Sequence, residues 1–113
     1  MARAGEIEVT REPLPDGGVV VRVEGELDMA TSPDLEKALE SADKESRVVI
    51  DLTGCTFLDS SAVRVLLATA RTTKTANGRV ALVARDPGIL RVLEIAAVKS
   101  LLPVHESLES ALI

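Results

Sequence analysis

The chain has 113 residues, enough for one domain, spanning 1–113, that buries roughly two-thirds of its unfolded surface around a single core. Hydrophobic residues make up 46%, yet Phe57 is the single aromatic and the net charge is −5. With no rings for base stacking, worth ~1–3 kcal/mol per base, and a charge that repels phosphate backbones, nucleic acid is not an expected partner. The only cysteine, Cys55, rules out an internal disulfide or a cysteine metal cluster.

In chain order, Ile7 to Thr10 alternates apolar with polar residues, and EPLPDGG (Glu12 to Gly18) supplies turn signals. Val19, Val21 and Val23 then share a face with Arg22 opposite, so the two segments read as an antiparallel hairpin with one buried face. Ser32 is placed as a helix N-cap, with Pro33 at the first helical position and Leu35, Ala38, Leu39 and Ala42 forming the inward stripe up to about Asp43. RVVIDL (Arg47 to Leu52) is β-branched and apolar without alternation, as in a strand covered on both faces. TGCTFLD (Thr53 to Asp59) reads as a loop, with Cys55 as a small apolar residue in it rather than a redox sensor.

From Ser60 the period becomes helical. Ala62, Val63, Leu66, Leu67 and Ala70 form one stripe and Arg64, Ala68, Arg71 and Thr75 another, with Asn77-Gly78 as the stop signal. RVALVA (Arg79 to Ala84) is another buried strand. Asp86-Pro87 starts a third helix with Leu90, Leu93 and Ala97 inward. LLPVH (Leu101 to His105) reads as a short last strand, and ESLESALI as a closing turn or two of helix. A hairpin followed by alternating helix and strand predicts an α/β fold: a small mixed sheet of about five strands with about four helices, the later strands parallel. Function in such sheets gathers beyond the carboxyl ends of the strands, which points to the Thr53 to Ser60 segment.

Enzyme chemistry is not signalled. There is no GxGxxG or P-loop pattern, so no nucleotide cofactor is expected. A hydrolase built on Ser60 would need a histidine beside it, and His105, the only one, lies near the far end of the chain with no GxSxG elbow around the serine. Scattered acids lack metal-ligand spacing. What remains is Asp59-Ser60-Ser61 at a helix start. Asp59 or Ser60 serves as the N-cap, worth ~1 kcal/mol, but one cap needs one residue and three polar groups stand in line. A phosphoryl group on a serine here would meet free N–H donors and the positive end of the helix dipole, leaving the helix intact.

The run VVIDLTGCTFLDSSAVRVLL resembles the core signature of STAS domains, in particular the bacterial anti-sigma factor antagonists. Gly25 to Asp28 (GELD) is similar to the family's other recognisable segment, and RVLEIAAVKSLLPVHESLESAL to its C-terminal part. The resemblance implies that Ser60 is phosphorylated, that Asp59 and Asp28 are the acids beside it, and that Asp28, Asp59, Ser60, Ser61, Ala62 and Arg64 meet the partner. That partner is an anti-sigma factor with serine kinase activity; binding it releases a sigma factor, phosphorylation of Ser60 ends the interaction, and a phosphatase restores it. ATP belongs to the kinase.

Arg64 is left as a residue that reaches back to the phosphate, contacts the partner or is merely solvated. The family usually has glycine where this chain has Ala62, a better helix former by ~1 kcal/mol; its methyl group is expected to narrow the approach of a kinase or alter the docking surface. A competing reading keeps the fold and makes the chain an accessory subunit of a membrane transport or lipid-trafficking complex, with Ser60 only a cap. A small-ligand site at this edge has no motif behind it. The chain shows no signal peptide and no stretch near the ~20 apolar residues of a bilayer span, so a cytoplasmic protein without membrane insertion is expected.

Overall fold

The computed structural model describes residues 5–42, 47–75 and 78–113. Asp43 and Asn77, placed at helix ends from the sequence, lie outside the described residues. The described elements are β1 (Ile7–Pro13), β2 (Val19–Leu27), α1 (Ser32–Ala42), β3 (Arg47–Leu58), α2 (Ser60–Thr75), β4 (Arg79–Val83), α3 (Pro87–Ile95), a short 3-10 turn (Val98–Ser100), β5 (Val104–His105) and α4 (Leu108–Ala111).

The strands lie in the order β1-β2-β3-β4-β5, with β1 antiparallel to β2 and every later pairing parallel. Right-handed crossovers that always step to the next strand in the same direction put their helices on one face. The packing agrees. Leu35 and Leu39 of α1, Leu66 of α2 and Leu93 of α3 share one core with Val21, Ile50 and Leu82 of the sheet. The opposite face carries a smaller cluster in which Val20, Val49 and Val83 meet Ala111, with Leu14, Leu108 and Leu112 against them. The start of β2 is therefore buried on both faces and not on one as expected, because α4 returns to cover its back. Beyond that helix the back face is polar: Arg22 of β2 pairs with the buried Asp51 of β3 at 3.3 Å and with Glu12 of β1 at 3.2 Å.

Three local expectations are corrected. Thr53 to Leu58 is strand, not loop: β3 runs on beside Glu24 to Leu27 of β2, with register shifts on either side of Glu24–Gly25. Gly25 takes φ 113° there, a conformation open to glycine at little cost. The Thr-Gly pair read as a turn, but a neighbouring strand with free hydrogen-bonding groups holds it extended. Cys55 is accordingly a buried strand residue whose thiol donates to the Phe57 carbonyl. At α3, Ile89 and Leu93 face inward while Ala97 is exposed, beyond the helix end, at φ 55°. The last strand is reduced to Val104–His105.

The start of α1 is also displaced by one residue. The Thr31 carbonyl accepts from Asp34 and Leu35, so Thr31 holds the cap position and Ser32 is the first helical residue. The Ser32 hydroxyl, free of capping, donates instead to the Asp28 carbonyl at 2.6 Å.

Candidate functional site

The lengthened β2 and β3 carry two chain turns past the rest of the sheet, to one rim. The first is the β2–α1 turn from Asp28 to Thr31, the second the β3–α2 junction at Asp59, and Asp59 N–H donates to the Leu27 carbonyl to join them at 3.0 Å.

Asp59 settles the choice of cap. Its carbonyl accepts from Val63 N–H, and its Oδ1 accepts from the N–H groups of Ser61 at 2.9 Å and Ala62 at 3.3 Å. These are the second and third helical positions, where a side-chain cap acts. The Ser61 hydroxyl donates to the same oxygen at 2.5 Å. That hydroxyl, followed by the N–H groups of Ala62, Ser61 and Met29, outweighs partial burial and holds the Asp59 carboxyl below its ordinary value.

The two serines are thereby given different roles. Ser61 is half-buried and committed to Asp59, and its Oγ lies 3.0 Å from Ser32 Oγ, which in turn lies 2.6 Å from the Asp28 carbonyl. Two hydroxyl protons serve three contacts in this chain. With the Ser61 proton on Asp59, the Ser32 proton is shared between Ser61 and Asp28. Ser60, at the first helical position, is exposed, and its hydroxyl makes no hydrogen bond to a described residue. It is the accessible nucleophile of the pair.

Asp28 is half-buried and turned inward upon its own loop: Oδ1 accepts from Ala30 N–H at 2.9 Å and Thr31 N–H at 3.0 Å. Its own N–H donates to Thr31 Oγ1, which donates on to the Glu26 carbonyl at 2.7 Å. Arg64 is exposed one turn below Ser60 and pairs with no described residue; a side chain four positions on lies on the same helix face.

Ala62 does not belong to this surface. It is 0% exposed and sits in the main core, because α2 turns that position onto the sheet. Its methyl group neither narrows the approach to Ser60 nor meets a docking partner. The N–H donors expected to receive a phosphate are also engaged, since those of Ser61 and Ala62 are held by Asp59. A phosphoryl group on Ser60 would find beside it a carboxylate already in place.

Sequence reasoning missed Ser32 and Thr31 as the ties behind the site, and it missed Met29 and Phe57, which stand 78% and 47% exposed on its rim. A lone aromatic directly before Leu-Asp-Ser was the one available signal for Phe57. His105 lies on β5, with Nδ1 2.9 Å from Ser110 Oγ, and so is partnered away from Ser60. Among the described residues no group of three or more His, Cys, Asp or Glu side chains is placed to hold a metal ion, and no helix is long and apolar enough to cross a membrane.

The STAS domain family matches residues 6–111 of this sequence. The chain belongs to this family. It is 34% identical over 101 residues to an anti-sigma-F factor antagonist, RsfA, of Mycobacterium tuberculosis H37Rv, a match covering 86% of this chain and 79% of that protein. Identity to BtrV of Bordetella bronchiseptica, named as an anti-sigma factor antagonist, is 33% over 98 residues, covering 85% and 84%. The fold superimposes with a TM-score of 0.90 on the crystal structure of an anti-sigma factor antagonist from Mycobacterium paratuberculosis, at 33% identity and with 99% and 96% of the two chains covered.

Proposed function

We propose that this STAS domain is an anti-sigma factor antagonist: it binds an anti-sigma factor that is also a serine kinase, frees a sigma factor by doing so, and is switched off by phosphorylation of Ser60. The observation that carries the reading is the division of labour at the head of α2. Asp59 alone caps the helix and Ser61 is tied behind it, so the exposed Ser60 hydroxyl is left without a structural task.

The arrangement favours a switch made by local charge. A phosphoryl group adds about −1.5 to −2 charges at the residue next to Asp59, whose carboxylate is held ionised and whose cap already occupies the nearest N–H donors. Arg64 is the neighbouring cation on that face and offsets part of this charge in the free protein. In a complex the same phosphoryl group must be desolvated, at a cost of several kcal/mol when uncompensated. A loss of roughly 3–4 kcal/mol lowers affinity a few-hundred-fold, and no refolding of the domain is required. Asp28, Asp59, Ser60 and Arg64 are the proposed contacts, with Ser61 holding Asp59 from behind. The phosphatase that restores the unmodified serine completes the cycle, in the cytoplasm where sigma factors act.

The test is a calorimetric titration of the anti-sigma factor that co-purifies with the chain from its native cell. Ser60→Ala is expected to bind as the unmodified protein does, and Ser60→Glu to bind far more weakly. Equal affinities for the two variants would reject the reading.

A further inference from the structure

Five large apolar side chains stand exposed among the described residues: Met29, Phe57, Ile95, Leu101 and Ile113. Ile95 and Leu101 bracket the turn after α3 and Ile113 follows α4. Met29 and Phe57 alone flank Asp59 and Ser60. Phe57 pairs in register with Glu26 and Leu58 with Leu27. Strand alternation sends Leu58 into the core and Phe57 outward. Met29 lies three residues past Glu26, so that its Cα is within ~16 Å of that of Phe57 by chain geometry and strand spacing. Both fit inside one standard interface patch of about 800 Å² per partner.

The seat of Met29 is rigid. Both neighbours of the Asp28 carboxylate in the turn, Ala30 and Thr31, are hydrogen-bonded to it, Thr31 is tied to Glu26, and Ser32 N–H donates to the Asp28 carbonyl at 2.9 Å. A turn fastened at this many points holds its apolar side chain in water, where it adds nothing to the fold. Such preorganisation lowers the ordering cost of association. Methionine and aromatic residues are also the types enriched at the centres of interfaces.

We infer that Met29 and Phe57 are the paired apolar anchors of the docking surface around Ser60, and that their occupant is an apolar, cation-rimmed face of the anti-sigma factor. The rim selects that occupant. Glu26 is exposed opposite Phe57, Asp28 is the residue directly before Met29, and Asp59 follows Phe57 by two residues. Arg64 is the cation beyond them. A complementary partner presents lysine or arginine around an apolar centre. Phosphorylation of Ser60 then places its charge inside the zone that the anchors must dry, and this explains how one modified residue opposes a whole interface.

This inference rests on the proposed function, and its test separates the two. Met29→Ser and Phe57→Ser are titrated singly and together against the anti-sigma factor, with Ile95→Ser and Leu101→Ser as controls and thermal unfolding as the check on folding. Each anchor variant is expected to weaken binding about tenfold or more and the pair about a hundredfold, with the controls unchanged. Met29→Ser, on a turn held by the Asp28 carboxylate and the Thr31 hydroxyl and not by the Met29 side chain, keeps the test valid if Phe57→Ser lowers stability. Wild-type affinity in the double variant overturns the inference while leaving the Ser60 reading intact if Ser60→Glu still fails to bind. Loss in Ile95→Ser or Leu101→Ser equal to that in the anchor variants moves the contact to the far side of α3 and overturns it as well. An anti-sigma factor that binds no form of the chain defeats both.

Discussion

Removing the Asp59 side chain should show how much of the head of α2 depends on one carboxylate. In Asp59→Ala the N–H groups of Ser61 and Ala62 and the Ser61 hydroxyl all lose their common acceptor. Loss of a helix N-cap costs about 0.5–2 kcal/mol; an acceptor that serves two helical N–H groups and a hydroxyl belongs in the upper half, about 1.5–2 kcal/mol. At about 4 °C per kcal/mol for a chain of this size, the unfolding midpoint should fall by about 6–8 °C. Asp59→Asn keeps the accepting oxygen and loses only the charge at the helix start, about 0.3–1 kcal/mol or roughly 1–4 °C.

The charge contribution has a defined dependence on pH. The folded-state pKa of Asp59 lies below its ordinary value, chiefly through the Ser61 hydrogen bond. Its stabilisation is therefore fully present above the unfolded carboxyl value near 3.9 and is lost as pH falls through the lower folded value. Thermal unfolding followed by circular dichroism should show the wild type ahead of Asp59→Asn at about pH 7 and the gap narrowing as the pH falls below the unfolded carboxyl value. Asp59→Ala unfolding within ~1 °C of wild type at neutral pH, or a gap to Asp59→Asn that widens on acidification, would refute the capping argument.

Ala62→Gly removes a core methyl group and a helix former, at a cost of about 1–2 kcal/mol, so its midpoint should fall by about 4–8 °C. The rate of Ser60 phosphorylation by a serine kinase should stay at the wild-type level, because the Ala62 side chain is in the core; a faster rate in the glycine variant would restore the steric role expected from the sequence. The Cys55 thiol is raised from its ordinary value, first by burial, and should react with a disulfide-exchange reagent at about pH 8 only after unfolding in denaturant. Equal reaction rates in native and denaturing buffer would contradict its burial.

Much of the architecture was readable because its signals are local. The alternation of Val19, Val21 and Val23, the helical stripe from Ala62 to Ala70, and Asp86-Pro87 before α3 each state a period or a cap within a few residues, and the structure follows them. Where the expectations failed, a competing set of hydrogen bonds decided. Thr53 to Leu58 became strand because the end of β2 lies beside it, and Thr31 displaced Ser32 from the cap because the Asp28 turn claimed that region's hydrogen bonds.

The candidate site divides in the same way. The sequence by itself determined that an acid and two hydroxyls stand at a helix start, and that the chain resembles STAS domains. It could not assign the tasks among them, since Asp, Ser and Ser are all competent caps and the ties to β2 and α1, from Asp59 N–H to the Leu27 carbonyl and between the Ser61 and Ser32 hydroxyls, exist only in the folded chain. Tertiary structure fixed Asp59 as the cap by tying its N–H to the Leu27 carbonyl, while the capping bonds themselves, to the N–H groups of Ser61 and Ala62, are local. It withdrew Ser61 toward Ser32, a residue 29 positions away, and it turned Ala62 into the core. Ser60 is left exposed because helical geometry at the first position points it away from all of these.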